Sequence, residues 1–328
     1  MLNIKNLKAV LEQKILEANN VVIIPHNGID FDAVGAATGI ALIAKKYKKP
    51  HYIVINDPIY KIDHGVQLII DDAKREMAVV TREKYLQNYT VDDLYVLVDV
   101  NKSNLISMHD KLTPENTIII DHHSEDNNTV KVLEKYIDTG SSSASEIVAN
   151  LLCQFKIKAN PDIANNLLAG IYLDTNKLSK NASSETMKTI AKLLELGANL
   201  NKVTDLFTED FISDRRVQEL VSKAKISTFS IAIVTAEDTI EYTREELAKV
   251  ADYLLKYKVD AAFAIGNIGD DIVSISARSK EKVNVGAVMQ NLEGGGNQYS
   301  AATKLSNCTI EEAADRLMKI IQPPCYIK

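Results

Sequence analysis

The chain has 328 residues, of which 46% are apolar and 25% are charged, and its 38 Lys and Arg residues against 44 Asp and Glu residues give a formal net charge of −6. This length predicts two domains, this composition excludes a disordered chain, and this charge disfavours long nucleic acid as a partner, because no basic stripe could follow many phosphates. The isolated cysteines, the lack of a secretory signal and the lack of an apolar run of roughly 18–20 residues predict a cytoplasmic protein with no membrane partner.

The first half of the chain alternates short β-branched runs with helical patterns. Buried strands that lead into polar residues are predicted at residues 21–25, 51–56, 94–99 and 117–121. Small and apolar residues at 33–49 predict a helix between the first two strands, which gives a βαβ order and hence a parallel sheet with helices on its faces. Ligands of such sheets bind beyond the carboxyl ends of the strands, so we expect the chemistry there.

The second half continues with helices and then with a second α/β pattern. Apolar residues at helical spacing cover residues 143–155 and 183–199, and Gly197 is the expected C-cap of the second helix. After a polar stretch, strands and a helix are predicted at residues 230–236, 244–257, 260–268 and 271–278, and a hairpin joins the last two segments. We therefore predict an α/β fold with a parallel-sheet domain at 1–205, a linker at 206–222 and a smaller α/β domain at 223–328.

Four motifs place carboxylates and imidazoles after predicted strands or apolar runs. Their members are His26, Asp30, Asp32, Asp99, Asp121, His122, His123 and Asp174. Each motif alone has a plain explanation, such as a helix N-cap or a strand end that meets water. Together they suit a pair of divalent cations bridged by one carboxylate, and oxygen and imidazole donors favour Mn²⁺ or Mg²⁺. Two such ions about 3.5–4 Å apart would polarise a phosphoryl group and activate a water molecule.

These motifs resemble, in order, the four motifs of the DHH phosphoesterase superfamily. The accompanying DHHA1 domain of that superfamily resembles residues 275–303, ISARSKEKVNVGAVMQNLEGGGNQYSAAT. A mixed sheet is expected for this second domain. The chain is similar to the catalytic module of cyclic-di-AMP phosphodiesterases and to stand-alone nanoRNase/pAp phosphatases. The resemblance implies hydrolysis of cyclic-di-AMP, of short linear dinucleotides such as pApA, or of both. A nanoRNase/pAp phosphatase and a non-catalytic nucleotide-binding protein stay open as alternatives, and so does a homodimer.

The resemblance also implies a role for each motif residue. One metal ion is assigned to His26, Asp30 and Asp99, and the other to Asp32, Asp99, His122 and Asp174, so that Asp99 bridges. Asp121 is expected to support the site. His123 is expected to meet the scissile phosphate or to protonate the leaving oxygen. Among metals, Mn²⁺ is ranked before Mg²⁺.

The smaller domain supplies the residues expected to bind substrate, in a cleft between the two domains. They are Arg278, Ser279, Asn284, Gly294, Gly295, Gly296 and Asn297, with Ser276 as a lesser candidate. Arg278 offers a planar fork for a phosphate, although a surface arginine is the plain alternative. The glycines allow positive φ and close backbone approach, although such a run is more often a flexible turn. Asn297 stands where the family usually has His, so we expect altered affinity or substrate preference.

Overall fold

The computed structural model describes residues 3–57, 62–208, 211–227, 230–269, 271–280 and 282–321. The chain divides into two compact units, Met1–Thr208 and Glu209–Lys328. Within the described residues, no helix combines the length and the apolar character needed to cross a membrane.

The first unit is built on a six-stranded parallel sheet. Its strands are β1 (Val21–Ile24), β2 (His51–Val54), β3 (Ala78–Val80), β4 (Leu94–Val98), β5 (Thr117–Asp121) and β6 (Glu134–Ile137). Their order in the sheet is β3-β2-β1-β4-β5-β6, and every neighbouring pair is parallel, as predicted. The edge strands β3 and β6 were not predicted, because they are short and only partly buried.

Helices cover both faces of this sheet or pack on one another. They are α1 (Ile4–Glu17), α2 (Phe31–Lys46), α3 (His64–Ala73), α4 (Arg82–Leu86), α5 (Ala144–Gln154), α6 (Pro161–Asp174), α7 (Ser184–Glu195) and α8 (Leu200–Leu206). Alternate residues of β1 point to opposite faces, so Val21 and Ile23 belong to the larger core with α2, α5 and α6, while Val22 and Ile24 belong to a smaller one. Burial on both faces explains the continuous apolar runs of the central strands.

The second unit contains a six-stranded mixed sheet. Its strands are β7 (Lys225–Ile226), β8 (Ile231–Thr235), β9 (Ala261–Asn267), β10 (Ile272–Ser279), β11 (Gly295–Gly296) and β12 (Ser300–Ser306), in the order β11-β12-β10-β9-β8-β7. Among these described strands, β8 and β9 pair in parallel and the other neighbours pair antiparallel. The predicted hairpin is confirmed by the antiparallel register of β9 and β10; Asp270 of its turn lies outside the described residues.

The helices of the second unit include a segment that we expected to be a linker. They are α9 (Phe211–Ser222), α10 (Arg244–Leu255), α11 (Val285–Gln290) and α12 (Ile310–Ile320). Helix α9 occupies most of the expected linker at 206–222, and its Val217 and Leu220 are fully buried in the core of the second unit. Their spacing of three residues gives α9 an apolar stripe, which the many charged neighbours concealed in the sequence.

Candidate metal centre

The carboxyl ends of three central strands bring the sequence motifs of the first unit together. His26 follows β1, Asp99 follows β4 directly, and Asp121 is the last residue of β5. Asp174 is the last residue of α6, so it reaches the same cluster from a helix rather than from a strand. Parallel strands end at one edge of a sheet, which is why residues almost 100 positions apart in the sequence become neighbours.

Asp99 lies between two groups of imidazoles and carboxylates. Its Oδ2 is 3.3 Å from His26 Nε2, and its Oδ1 is 3.3 Å from His122 Nε2. Its backbone has φ of +57°, in the left-handed region that Asp enters more readily than most residues. Because each oxygen faces a different imidazole, this one carboxylate is placed to contact two ions at once.

The first group consists of His26, Asp30 and Asp99. Asp30 is the N-cap of α2, since its Oδ1 accepts the backbone N–H groups of Asp32 at 2.9 Å and Ala33 at 3.0 Å. Its other oxygen, Oδ2, lies 3.6 Å from His26 Nε2. The helix cap is therefore compatible with the predicted ligand role, because Oδ1 caps the helix and Oδ2 faces the cluster.

The loop between His26 and Asp30 is fixed by a carboxylate that the sequence analysis missed. Asp57 Oδ1 accepts the backbone N–H of Gly28 at 2.8 Å, and its Oδ2 accepts that of Ile29 at 3.2 Å. Gly28 has φ of +78°, which a residue with a side chain rarely adopts. Asp57 lies three residues beyond β2, so its place after a buried strand was the signal that could have found it.

The second group consists of Asp32, His122 and Asp174. His122 Nε2 lies 3.1 Å from Asp174 Oδ2 and 3.8 Å from Asp32 Oδ2. Asp32 is fully buried, and its two oxygens accept the backbone N–H groups of Ala144 and Ser145, each at 2.7 Å. These donors belong to the first turn of α5, whose positive end favours an ionised carboxylate.

Close packing of α2, α5 and α6 makes this second group possible. A Cβ at Gly170 of α6 would collide with Asp32 and with the Ser145 hydroxyl. A Cβ at Gly35 of α2 would collide with the Asn166 backbone and with the same hydroxyl. Neither glycine was a candidate, because a glycine inside a helix pattern gives no indication of which helix it meets.

Asp121 and His123 form the third part of the cluster. Asp121 Oδ1 accepts the backbone N–H groups of His122 at 2.8 Å and His123 at 3.2 Å, and it lies 2.9 Å from His123 Nδ1. This contact orients the half-exposed imidazole of His123 through Nδ1 and leaves Nε2 for another partner. Asn101, which the sequence analysis missed, is buried and donates from Nδ2 to the His123 carbonyl at 3.0 Å.

The cluster contains polar atoms that the protein itself does not satisfy. Asp99 Oδ1, Asp121 Oδ2 and His122 Nε2 are buried and have no hydrogen-bond partner in the described part of the chain. Asp99 Oδ1 and His122 Nε2 approach each other, but without hydrogen-bonding geometry. Buried polar atoms rarely stay unpaired, and the ligand atoms of each group lie within 4.8 Å of one another. The donor set therefore fits metal ions.

Charge balance within the cluster leads to the same result. Burial acts to lower the pKa of His26, but Asp30 and Asp99 outweigh it and raise that pKa to about 11. The pKa of His122 is also raised to about 11, because Asp174 and Asp99 outweigh its burial. Burial acts to raise the pKa of Asp99, yet the two imidazoles hold it at about 2. Burial and the neighbouring carboxylates raise the pKa values of Asp32 and Asp174. Without metal, protons in the cluster therefore offset part of the carboxylate charge, and a bound cation would replace those protons.

A cavity of about 290 Å³ adjoins the cluster within the first unit. His26, Asp99, His123 and Asp174 line it together with Lys102. A ligand in this cavity would therefore meet both groups of carboxylates and the orienting contact of His123.

The residues of the second unit that we expected to bind substrate are largely engaged in internal hydrogen bonds. Ser279 Oγ donates to the Gln298 carbonyl at 2.8 Å. Asn284 Oδ1 caps α11 by accepting the Ala287 N–H at 3.0 Å. Asn297 Oδ1 accepts the N–H groups of Tyr299 at 2.8 Å and Ser300 at 2.9 Å. Each of these three side chains therefore has a structural role in a turn or a cap.

The glycine run forms the edge of the second sheet. Gly295 and Gly296 constitute β11 and pair with Ala302 and Ala301 of β12. A Cβ at Gly294 or Gly296 would collide with β12, and Gly296 has φ of +141°. The glycine run was expected to bring the backbone close to a ligand, but the close approach of Gly294 and Gly296 is to β12. Of the three glycines, Gly295 has open space where a Cβ would be.

Arg278 is the expected residue that lies in a cavity together with part of the glycine run. This cavity, of about 410 Å³, belongs to the second unit and is lined by Arg278, Ser276 and Gly296 among others. Arg278 Nε donates to Asp252 Oδ1 at 3.0 Å, and its Nη1 donates to the Ala277 carbonyl at 3.1 Å. These two contacts hold the guanidinium in place, and its Nη2 has no partner in the part of the chain that the structure describes.

The fold and the cluster define a class: an α/β protein with a metal-binding group of residues beyond the strand ends of a parallel sheet. The chain matches the DHH family, N-terminal domain, over residues 20–173 and the DHHA1 domain over residues 229–323. It belongs to the DHH family and carries a DHHA1 domain, which confirms the resemblance based on the motifs.

Two curated relatives are each named cyclic-di-AMP phosphodiesterase GdpP. The protein from Bacillus subtilis (strain 168) is 34% identical over 323 residues, which cover 95% of this chain and 49% of the relative. The protein from Geobacillus thermodenitrificans (strain NG80-2) is 31% identical over 321 residues, covering 95% of this chain and 48% of the relative. The chain spans about half the length of these relatives. These matches confirm the predicted similarity of the chain to part of the cyclic-di-AMP phosphodiesterases.

One solved structure resembles the fold closely. It is that of an exopolyphosphatase-related protein from Bacteroides fragilis, with a TM-score of 0.80 over 95% of this chain and 94% of that chain. The two sequences are 19% identical, so the likeness supports the fold alone.

Proposed function

We propose that the chain is a metal-dependent phosphodiesterase that hydrolyses cyclic-di-AMP, short linear dinucleotides such as pApA, or both, to mononucleotides. The observation that carries the proposal is the position of Asp99, whose two oxygens face two separate imidazole–carboxylate groups. The names of the curated relatives support the substrate class. Oxygen-rich groups with one imidazole each favour Mn²⁺, with Mg²⁺ as the second choice.

The proposed ligands follow the two groups. His26, Asp30 and Asp99 would hold one ion, and Asp99, Asp32, His122 and Asp174 the other. Two divalent cations, when bound, polarise a phosphoryl group and lower the pKa of a water molecule. Burial, together with the charges of Asp99 and Asp174, raises the pKa of Asp32. The two N–H groups at the start of α5 and a bound cation would both favour its ionised form. Asp57 would keep the His26 loop in place.

His123 is the proposed proton donor for the leaving oxygen. Its Nδ1 is held by Asp121 Oδ1, so its Nε2 can carry the proton that a departing ribose oxygen needs. Asp121 raises the pKa of His123 through the same contact, which keeps the imidazole protonated more often near neutral pH. Asp121 thus positions the acid and does not itself transfer the proton.

Arg278 is the proposed phosphate contact in the second unit, because its Nη2 has no partner among the described residues and because it lines a cavity with small residues. Ser279, Asn284 and Asn297 are weaker candidates for direct contacts, because the side-chain oxygen of each residue already has a partner inside the unit.

The test is a turnover assay on four substrates: cyclic-di-AMP, pApA, pAp and a short RNA. We expect the two dinucleotides to be hydrolysed with Mn²⁺, and we expect EDTA to abolish the activity. Preferred turnover of pAp and short RNA would identify a nanoRNase/pAp phosphatase instead. Binding of nucleotide without any turnover would identify a non-catalytic nucleotide-binding protein and refute the proposal.

A further inference from the structure

The cavity of the second unit contains a second arginine that no proposed role uses. Arg244 is the first residue of α10, it is exposed, and it lines the same cavity of about 410 Å³ as Arg278. Within the described residues, its guanidinium forms no ion pair and no hydrogen bond. All five N–H donors of this side chain are therefore available to a ligand.

The position of Arg244 is unfavourable for the helix that carries it. The first turn of a helix has a partial positive charge and disfavours a cation. The other charged residues of this turn, Glu245 and Glu246, follow that rule, and Glu246 completes a capping box with Thr243. A residue that opposes its local electrostatics without a compensating contact often has a function at a site.

The cavity joins the two arginines across small residues. Ser276, Gly296 and Ser300 leave room between them, because none has a side chain larger than a hydroxymethyl group. Arg278 is fixed by Asp252 and by the Ala277 carbonyl, so it presents a defined edge. Arg244 has no side-chain partner in the described ranges, so it can turn towards an anion held by that edge.

We propose that Arg244 and Arg278 together bind the phosphomonoester end of a linear nucleotide. The identity of the nucleotide as substrate rests on the proposed function. A phosphomonoester carries about −1.5 to −2 charges at neutral pH and three free oxygens, which suits two guanidinium forks. A phosphodiester has one charge and two free oxygens, so it gains less from a second arginine.

The carboxylates near the cavity limit what net charge can contribute to this distinction. Glu245 lines the cavity, and Asp252 pairs with Arg278, so much of the positive charge is already balanced. The distinction therefore rests on hydrogen bonds: a terminal phosphate offers three free oxygens to the two guanidinium groups, whereas a diester offers two. The site consequently favours pApA over cyclic-di-AMP, which has no terminal phosphate.

The first test measures binding by calorimetry with the full chain in EDTA, using AMP and adenosine as probes. Arg244→Ala should weaken AMP binding by about 10-fold or more, as expected for loss of a charge-assisted hydrogen bond, and should leave adenosine binding unchanged. Arg244→Lys should restore part of the loss. Lys256→Ala is the control, because Lys256 lies over the Tyr253 ring and does not line the cavity.

A second variant tests the charge argument in the opposite direction. Glu245→Gln should tighten AMP binding, because it removes a neighbouring negative charge. Equal weakening of AMP and adenosine by Arg244→Ala would overturn the inference, since the phosphate would then not be the contacted group. The inference would also be overturned if the wild-type protein bound neither AMP nor pApA.

Turnover separates this inference from the proposed function. In Mn²⁺, Arg244→Ala should raise KM for pApA and leave KM for ApA and cyclic-di-AMP within about two-fold, because these two lack the phosphomonoester. Normal pApA hydrolysis with an unchanged KM in Arg244→Ala would overturn the inference and leave the proposed function standing. A different pair of results would overturn the proposed function alone: Arg244→Ala loses AMP binding, and the wild-type protein hydrolyses none of the substrates.

Discussion

The two sets of residues expected to be functional differ in how their polar atoms are satisfied. In the first unit, Asp99 Oδ1, Asp121 Oδ2 and His122 Nε2 are buried without hydrogen-bond partners among the described residues. In the second unit, the side-chain oxygens of Ser279, Asn284 and Asn297 have partners within their own turns and caps. Unpartnered buried atoms whose ligand groups converge within 4.8 Å fit a bound ion, whereas a satisfied atom is explained by the fold.

The same criterion separates the arginines of the second unit. Arg278 is partly engaged and keeps one nitrogen, and Arg244 is not engaged at all in the described structure. Similarity to the family motifs therefore identifies the region that binds a ligand. The hydrogen bonds of each side chain in that region then indicate which of its polar atoms can still contact the ligand. The following predictions test this difference between the units.

The largest effect is expected at Asp99. Asp99→Asn keeps the shape of the side chain but removes the charge that would serve both ions. We expect activity to fall by more than about 100-fold, because ligand loss should exceed the 10–100-fold effect typical of a supporting residue, and we expect the metal content to fall as well. Turnover assays and elemental analysis of the purified protein measure both quantities.

Asp110→Asn is the matched control, because Asp110 is an exposed carboxylate of the same unit that pairs with Arg82. It should leave both activity and metal content near the wild-type values. Full activity of Asp99→Asn, or persistence of wild-type activity in EDTA, would contradict the two-ion site.

The second effect concerns the support of the first group. Asp57→Ala removes both acceptors that hold the Gly28–Ile29 backbone, so the loop with His26 and Asp30 should loosen. We expect metal affinity to fall by about 10–100-fold, as for other residues that orient ligands. Calorimetric titration of the metal-stripped protein measures it.

Asp63→Ala provides the comparison, because Asp63 also accepts a backbone N–H but caps α3 instead. It should cost about 1 kcal/mol of stability and leave metal affinity unchanged. Equal loss of affinity in both variants would show that Asp57 acts through general stability.

The third effect is the pH dependence of the metal-free protein. The pKa of His26 is raised to about 11 in the folded state, from about 6.5 when unfolded. Its protonation therefore stabilises the fold fully below about pH 6.5, and this contribution is lost as the pH rises towards 11. In EDTA, the Tm advantage of wild type over His26→Gln should narrow between about pH 6 and pH 9.

A Tm difference that widens over this range would contradict the proton balance described for the cluster. With metal present, the same displacement of protons should make the apparent metal affinity rise with pH. Titrations at two pH values measure that rise.

The smallest effect is expected at Asn297. Asn297→His removes the acceptor for the Tyr299 and Ser300 N–H groups, so it should lower stability by about 0.5–1.5 kcal/mol. The order of kcat/KM among cyclic-di-AMP, pApA and pAp should stay unchanged at both neutral and mildly acidic pH. A ranking that shifts towards linear nucleotides as the pH falls would instead make position 297 a specificity residue.

The sequence by itself predicted the parallel sheet and the places where its chemistry should lie. Apolar runs such as those of β4 and β5 can be recognised because both faces are buried, and Asp99 and Asp121 stand at their ends. The rule that parallel strands end at one edge then brings distant motifs together without any knowledge of the packing. This logic depends on periodicity along the chain, which is a local property of the sequence.

The tertiary structure alone decided which side chains are supported and which are available. Asp57, Ser145 and Gly170 affect the cluster through contacts with residues that are 28 to 138 positions away. No local pattern encodes such contacts, because hydrogen bonding and close packing depend on which elements meet. Likewise, Arg278 and Arg244 are 34 positions apart in the sequence, and they share a cavity only because α10 packs against β10.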